Sequence, residues 1–482
     1  MCTYGKFLSA VLAAGLFLRR RARLAAFDLL PVWLLFALGL LRPITGGVET
    51  TTTLSTELKE FYPGGGIINQ INVDTYLLDK VDKAKGFINI EGRYWYKPGR
   101  FGLAGAAGSR AEGGALPSSS SMTIAAIQVS VRYHYGVIEV TGPAIAASKT
   151  DRGAFKRALQ YAMDGMYEEF RFTINVLLHG YGTAVMGVTS SVAGSVITLT
   201  DNVLPPNWFK LGLKIDSYVG TTNTVRQAGM RITDVDLPNK AITVDTIGAT
   251  AAGDRIYLAG SKDVAPLGLL SSVDDGTYVA VHFNVDRTAA GRKDWKSYVN
   301  ANGTPAIFGN ASRRTLTEVL LQQVLDEQRI RAGGARAIDL FYSSLGVRRA
   351  FFAQLDPDRR YSSGIYDGGW KALKYQNGDD DVVWVGDEHA LRYTVFGLNT
   401  SVAPNNQGGK GRPSKIEDEE KLSVFQTIDP DWDDSTGSQL KQMYSGGNLV
   451  DSVTAFYKWY LNWGSCRPNE HARVDDVLEP TG

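Results

Sequence analysis

The feature that most constrains the fold is a long run of helical periodicity over residues 148–179. Apolar residues recur there at steps of three and four, a spacing that places side chains on one face of an α-helix. They are Phe155, Leu159, Met163, Met166, Phe170, Ile174, Leu177 and Leu178. Ser148 and Asp151 have capping-box spacing at its start, and Gly180 can end it. Such a helix would be about 43–48 Å long, which indicates an extended, plate-like subunit rather than a small compact domain.

Residues 87–140, upstream of this helix, predict a long β-hairpin. Its returning strand alternates apolar and polar residues with period two, which indicates a half-buried strand. The apolar positions are Ile127, Val129, Val131, Tyr133, Tyr135 and Val137. The tip, Gly99–Ser121, is rich in Gly, Ala and Ser, and it is too weakly hydrophobic to bury itself. We expect it to be a disordered loop or a loop that becomes ordered on a partner.

Residues 190–262 change character and predict a small β-barrel inserted into the host fold. Short β-branched runs alternate with turn residues, and helical periodicity is absent. The runs are 196–200, 241–245 and 255–258.

Mixed α/β patterns return over residues 263–449. Leu316, Val319, Leu320 and Val324 share one face of a predicted helix that ends at Gly333-Gly334. A strand follows at residues 339–343, and Ser344 can cap a short helix over 345–355. The aromatic stretch Val450–Trp463 predicts a final core strand pair with Tyr457, Trp459 and Leu461 on one face.

The first 47 residues differ from the rest of the chain. Two apolar runs, Phe7–Leu18 and Pro31–Leu41, flank an arginine cluster, and each is shorter than the roughly 18 residues that a membrane span needs. Three interpretations are open: a start codon assigned too far upstream, a removable assembly segment, or a membrane hairpin. The fold is therefore read from about Thr50 onward.

Charge and cysteine content exclude several classes of protein. Lys+Arg 51 against Asp+Glu 50 leaves a net charge of +1, whereas a general nucleic-acid binder carries a basic excess or stripe. Cys2 and Cys466 cannot form a disulfide framework. Free thiols in a reducing cytoplasm are the expectation.

No arrangement of histidines or glycines predicts an active site. The five histidines lack metal or catalytic spacing; they are His134, His179, His282, His389 and His471. His179 falls at a helix C-terminus, where a positive charge would suit the dipole. The stretch Gly408–Arg412 lacks the spacing of a phosphate loop, and Gly180-Tyr-Gly182 follows a helix instead of opening one. A G-x-S-x-G elbow does not occur in the sequence.

The strongest candidate for a metal-binding site lies in an acidic run, and its match to a known metal-binding motif is weak. The alternating aspartates Asp429, Asp431 and Asp433 resemble the start of a calcium loop, but Asp434 stands at the sixth position and Leu440 at the twelfth. The run Asp379-Asp380-Asp381 fits a solvated turn. We therefore predict no catalytic, cofactor-binding or metal-binding residues, no cofactor and no enzymatic activity.

Several motifs resemble the major capsid proteins of tailed bacteriophages. The most specific lie between residues 110 and 155, and others follow in the second half. They are Arg110–Pro117, Gln128–Val131, Tyr135–Ser148, Gly153–Phe155, Gly346–Arg349, Asp358–Tyr361, Asp429–Gly437 and Trp463–Cys466. The resemblance covers about residues 54–478. It implies an α+β chain with the Johnson (HK-97-type) fold.

The resemblance also implies a division of the chain. It assigns an N-terminal extension to residues 1–47, an N-arm to 48–86 and an E-loop to 87–140. A peripheral domain with the spine helix would occupy 141–189, and the inserted β-barrel 190–262. An axial and peripheral domain would follow at 263–449, with terminal core strands and a tail at 450–482. Some family members cross-link lysine to asparagine, and Lys97 lies in the E-loop, but no acceptor motif is present.

The function implied is assembly into hexamers and pentamers of an icosahedral phage head around double-stranded DNA. The resemblance places the protein in the virion, after assembly in the host cytoplasm. It implies scaffolding, portal and decoration proteins as partners, with the packaged DNA contacted non-specifically and no membrane. An encapsulin-like compartment shell is the alternative. A β-rich carbohydrate-binding or adhesive protein is a further one, and it would need exposed aromatic platforms, for which Trp208 and Tyr218 are the candidates.

Overall fold

The computed structural model describes most of the chain from residue 87 onward. The described residues are 76–77, 87–90, 92–103, 105, 107–118, 121–148, 158–220, 222, 224–303, 312–332, 338–354, 363–365, 371–377, 380–400, 422–433, 440–445 and 448–479. The extension 1–47, nearly all of the N-arm 48–86, Asp379 and Gly408–Arg412 lie outside them. In this part of the chain, no helix is both long and apolar enough to span a membrane.

The chain is a mixed α/β protein in which strands outnumber helices. The strands are β1 Phe87–Asn89, β2 Tyr94–Arg100, β3 Ile124–Ser130, β4 Arg132–Thr141, β5 Val185–Ala193, β6 Val196–Leu199, β7 Lys214–Tyr218, β8 Val225–Asp236, β9 Ala241–Val244, β10 Arg255–Leu258, β11 Val281–His282, β12 Val285–Asp286, β13 Tyr298–Asn300, β14 Leu340–Ser344, β15 Ser363–Ile365, β16 Lys371–Asn377, β17 Asp380–Asp387, β18 Val395–Leu398, β19 Leu422–Trp432, β20 Lys441–Ser445, β21 Asn448–Ser465 and β22 Ala472–Val474. The helices are α1 Gly142–Ala147, α2 Ala158–His179, α3 Leu269–Ser272, α4 Glu318–Ala332 and α5 Leu345–Phe352.

The first sheet is built around β21. This strand pairs with β19 and β20 along one edge and with β4 along the other, while β1 adds to β19 in parallel. Tyr457, Trp459 and Leu461 are buried on one face, as predicted. The predicted terminal strand pair is instead one 18-residue strand, β21, which pairs with β20 just before it in the chain and also with β19 and β4.

Helix α2 packs across this sheet with its apolar face inward. The described part has 22 residues, or about 33 Å, and it buries Met166, Phe170 and Ile174. Ser148 lies at the C-terminal end of the short helix α1, and residues 149–157, where the long helix would begin, lie outside the described residues. The Ser148 hydroxyl donates to the Ala144 carbonyl oxygen at 2.9 Å.

The apolar side chains of the hairpin's returning strand were all predicted to be buried, and this is correct for its first half and wrong for its second half. The segment is two strands: β3 pairs with β2 in the hairpin, and β4 pairs with β21. Ile127 and Val129 are buried, but Tyr133, Tyr135 and Val137 are exposed. The polar side predicted for β4 faces α2 instead. Gly136 permits that approach, because a Cβ there would lie 2.2 Å from Met166 Sδ.

Strands β5 to β10 form a closed barrel in the order β10-β5-β6-β9-β8-β7. It begins at Val185, five residues before the predicted range, and its last strand ends at Leu258. Apolar side chains fill it, including Ile197, Ile215 and Ile256. They belong to one continuous core with α2 and the first sheet, so the barrel is packed onto its host.

A second sheet of seven strands has the order β13-β22-β18-β14-β17-β16-β15. Helix α5 begins after Ser344, whose hydroxyl accepts the Val347 N–H at 3.3 Å, so this predicted cap is confirmed. The helix ends at Phe352, three residues before the predicted Leu355. In α4 the predicted inward facing of Val319 is wrong, because it is exposed and Leu321 is buried instead.

Candidate functional site

The histidines lie in packed positions and do not form a catalytic arrangement. Four are fully buried: His179, His282, His389 and His471. Burial lowers the pKa of each, for His471 to about 4. Burial under α2 likewise lowers the pKa of His134 to about 4, and its Nε2 lies 3.1 Å from Thr173 Oγ1. The charge predicted for His179 at the helix end is therefore wrong near pH 7.

His179 instead takes part in a buried brace between α2 and the second sheet. Its Nδ1 lies 2.7 Å from the Asn175 carbonyl oxygen, and its Nε2 lies 2.6 Å from the Tyr342 hydroxyl. That hydroxyl donates to Asp387 Oδ2 at 2.6 Å. The Asp387 Oδ1 atom accepts the backbone N–H of His389 at 2.8 Å. The brace is closed to solvent and therefore has a structural role.

A second buried polar cluster joins the α3 region to β22. Arg473 donates to Asp274 Oδ1 at 3.2 Å and to Asp475 Oδ2 at 3.0 Å. Asp274 also accepts the backbone N–H groups of Tyr278 and Val279, both at 3.0 Å. These charges are paired and hydrogen-bonded, as buried charges must be. Within the described ranges, no group of three or more His, Cys, Asp or Glu residues could hold a metal ion.

The aspartate run that resembles a calcium loop is already partly occupied. Asp429 and Asp431 are exposed on β19, whereas Asp433 is buried and contacts the ammonium groups of Lys441 and Lys458. A cation would have to displace both lysines from this carboxylate. Asp434 lies outside the described residues.

The hairpin of β2 and β3 has a buried root and an exposed tip. Near the root, Ile127 and Val129 pack in a cluster that also holds Trp295 and Phe425. Beyond it, Leu103 and Leu116 are 82% and 87% exposed. The tip thus presents large apolar side chains to solvent, which is a mark of partner contact when such residues are grouped.

A second apolar surface lies on the outer face of the first sheet. Tyr133, Tyr135 and Val137 are 61%, 55% and 62% exposed. The Tyr133 ring lies 4.9 Å from the Tyr460 ring, and the Tyr135 hydroxyl donates to the Tyr460 hydroxyl at 3.3 Å. This hydrogen bond raises the pKa of Tyr135 to about 12. Among the described strands, β4 pairs only with β21, so its second edge is open.

Sequence reasoning missed this outer surface because it assigned one phase of alternation to the whole segment. The phase changes where Val131 separates β3 from β4. The alternation itself continues through this point, so the apolar pattern carries no signal of the change.

Trp208 cannot serve as the exposed aromatic platform that a carbohydrate-binding module needs. Its side chain is buried, and its Nε1 donates to the His389 carbonyl oxygen at 2.9 Å. Tyr218 is half-buried, with its ring 5.1 Å from that of Tyr257 and with Lys262 Nζ 5.5 Å from its centre. Packing explains both residues.

Comparison with known proteins found matches to this chain among solved structures, but none among family models or curated proteins. The cyanophage A-1(L) capsid asymmetric unit is 12% identical with a TM-score of 0.48, covering 89% of this chain and 98% of that one.

Two further structures extend the same set. The SrpI encapsulin of Synechococcus elongatus PCC 7942 is 7% identical with a TM-score of 0.43, covering 90% and 98% of the two chains. The capsid of Myoviridae phage XM1 is 8% identical with a TM-score of 0.40, covering 90% and 100%. The three structures named are two phage capsids and an encapsulin. With TM-scores below 0.5, they carry no argument about its function.

Proposed function

We propose that the protein is the major capsid protein of a tailed phage and builds a closed shell from many copies of itself. The observation that carries the proposal is the exposure of Leu103 and Leu116 on the tip of a hairpin. Both side chains lie in the hairpin tip, where residues 107–116 are all exposed. Only a neighbouring molecule can remove them from water, and that burial favours association.

The outer face of the first sheet supplies a second contact surface for the same purpose. Tyr133, Tyr135 and Val137 would be covered by adjoining subunits, and aromatic residues are enriched at protein interfaces. Many weak contacts of this kind reinforce each other when one chain repeats with closed symmetry. A net charge of +1 keeps identical copies from repelling one another.

The elements correspond to those of the Johnson fold in this proposal. The β2–β3 hairpin serves as the E-loop and α2 as the spine helix. The seven-stranded sheet with α4 and α5 serves in the axial and peripheral domain 263–449. Residues 48–86 serve as the N-arm, and the barrel is an insertion that contacts neighbouring capsomers or the outer surface. Domain boundaries at 87, 141, 190, 263 and 450 belong to the same proposal.

The shell proposed is icosahedral, made of hexamers and pentamers, and it encloses double-stranded DNA in the virion. Assembly takes place in the host cytoplasm with scaffolding, portal and decoration proteins. The subunit contributes no catalysis. Four of its histidines are fully buried, burial lowers the pKa of each, and its buried aspartate–arginine cluster is internally paired.

Negative-stain electron microscopy with light scattering tests the proposal directly. The full chain and a version starting at Thr50 are expressed separately, each with and without a scaffolding partner. Closed shells or capsomer-sized rings are expected. A protein that stays monomeric in all four samples would refute the capsid function. Nuclease-treated particles are then analysed for protected DNA, and protein cargo without DNA would point to an encapsulin-like compartment.

A further inference from the structure

A cavity of about 460 Å³ lies at the root of the hairpin. Three separate elements meet there: β2 with the residues that follow it, the last turn of α4, and the turn at residues 466–469. Apolar side chains form its floor, and these are Phe101, Ile127, Trp295 and Cys466. The volume is within the range of small-molecule sites, roughly 300–1,000 Å³.

Cationic side chains dominate the rim of this cavity. Lys97 and Arg100 come from β2, Arg331 from α4, and Arg467 from the terminal turn, whereas Asp294 is the only carboxylate among the lining residues. Arg467 Nη1 lies 3.7 Å from Glu470 Oε1, so one of these four cations already has an acidic partner outside the lining. Positive side chains that lie close together repel each other unless an anion lies between them.

Two of the arginines on the rim lack an acidic partner. Arg100 Nε donates to the Gly102 carbonyl oxygen at 3.3 Å, and Arg331 Nη1 donates to the Ser297 carbonyl oxygen at 3.3 Å. Neither lies in an ion pair with any described residue. A further guanidinium, that of Arg292, stacks 4.3 Å from the Phe101 ring behind the floor.

The protein pairs its cations closely at a comparable position elsewhere. At the contact between the barrel and the second sheet, Asp201 accepts from Arg313 at 3.0 Å and Arg392 at 2.8 Å, and Lys240 lies 2.7 Å away. That cluster contains its own anion. In the cavity, by contrast, Arg100 and Arg331 share no such carboxylate with any described residue.

We propose that the cavity binds a multiply charged phosphoryl anion, between inorganic pyrophosphate and a nucleoside triphosphate in size. Guanidinium groups match phosphate oxygens with two parallel hydrogen bonds. Arg100 and Arg331 form no ion pair with a described residue. An anion with several charged oxygens would satisfy both guanidinium groups, whereas a single carboxylate would neutralise only one of them. A double helix is too wide to enter a recess of this volume. The inference does not depend on the proposed capsid function.

Binding would join the hairpin to the body of the subunit. A ligand held by Arg100, Arg331 and Arg467 would link β2 to α4 and to the terminal turn. The root of the hairpin would then open less often, so amide hydrogen exchange in β2 and β3 is expected to slow when the anion is bound.

Isothermal titration calorimetry on the unassembled full chain at low salt tests the inference. The probes are pyrophosphate and ATP, with adenosine as the uncharged control and hexaglutamate as a carboxylate polyanion. Both phosphoryl probes are expected to bind at one site, with adenosine silent and hexaglutamate weaker. Equal affinities for ATP and pyrophosphate would show that only the phosphates contribute to binding. A higher affinity for ATP would show that the nucleoside also contacts the apolar floor.

Matched variants locate the site. Arg331→Gln and Arg100→Gln are each expected to weaken pyrophosphate binding by about tenfold or more, as loss of one charge-assisted pair implies. Arg329→Gln is the control on the same helix, outside the cavity, and should leave the affinity unchanged. All three positions are at least partly exposed, and unchanged urea denaturation confirms folding.

Four results would overturn the inference. They are absence of binding at millimolar pyrophosphate and ATP, equal weakening by Arg329→Gln, insensitivity to both cavity variants, or tighter binding of hexaglutamate than of pyrophosphate. The last would identify an acidic protein segment as the occupant.

Discussion

Replacing Gly268 by alanine is expected to destabilise the subunit sharply. Gly268 precedes α3 at the point where the chain returns from the barrel and passes the end of α2. A Cβ there would lie 2.5 Å from the Leu178 carbonyl oxygen and 2.6 Å from the Gly180 carbonyl oxygen. Both are backbone atoms, so no side chain can rotate away. Leu178 and His179 are fully buried, which leaves the backbone little room to shift.

The cost is worked from the known range for overpacked sites. Extra methylenes forced into a packed core cost about 1–3 kcal/mol, and backbone contacts this short place Gly268→Ala near about 3 kcal/mol. Gly165→Ala is the matched control. It lies in the middle of α2 with no atom within 4 Å of its added Cβ. Alanine is favoured over glycine inside a helix by about 0.5–1 kcal/mol, so this variant should be more stable than the parent.

Urea denaturation of the unassembled subunit, followed by tryptophan fluorescence, measures both variants. The urea midpoint should fall for Gly268→Ala and rise for Gly165→Ala. The free energies of unfolding of the two variants should differ by about 4 kcal/mol. An unchanged midpoint for Gly268→Ala would refute the packing argument. A fall of equal size in both variants would show that loss of glycine, and not the backbone contact, is responsible.

Four more predictions use the same subunit. Tyr342→Phe removes the hydroxyl between His179 and Asp387, and leaving both buried groups short of a partner should cost about 3 kcal/mol in urea denaturation. Asp201→Asn should cost about 2 kcal/mol in the same assay, because Arg313, Arg392 and Lys240 lose their shared carboxylate; a neutral result would contradict this. The pKa of His471 is lowered to about 4 by burial, so only the unfolded state binds its proton below the usual value of about 6.5. The contribution of His471 to stability should then fall by about 1.4 kcal/mol for each unit from pH 6.5 towards 4, and His471→Asn should remove that part of the dependence while the other buried histidines keep theirs. Leu103→Asp with Leu116→Asp should leave the urea midpoint unchanged and abolish shells in electron micrographs, whereas normal shells would exclude the tip from assembly.

Local periodicity predicted those elements whose facing depends on consecutive residues. The described part of α2 and the buried row Tyr457, Trp459 and Leu461 of β21 follow from spacing alone, because side-chain direction repeats with a fixed period along a helix or strand. The Ser344 cap was equally local, since its hydroxyl bonds an amide three residues away.

The buried side of a strand could not be predicted at the point where the chain changes its pairing partner. Strands β3 and β4 continue one apolar alternation, yet one pairs with β2 and the other with β21. The partner of β4 lies more than 300 residues away in the chain, and the close passage of α2 over Gly136 selects which face is covered. Nothing in the residues around Val131 encodes that choice.

Residue patterns alone predicted the mixed α/β character, the long helix and the β-rich segment near 190–262. The tertiary structure decided which apolar residues remain exposed and where charges gather. Lys97, Arg100, Arg331 and Arg467 form no basic stripe in the sequence, and they share one cavity only because β2, α4 and the terminal turn meet. Periodicity is a property of neighbours in the chain, whereas an interaction surface is a property of neighbours in space, and only long-range packing of strands, helices and turns brings such residues together.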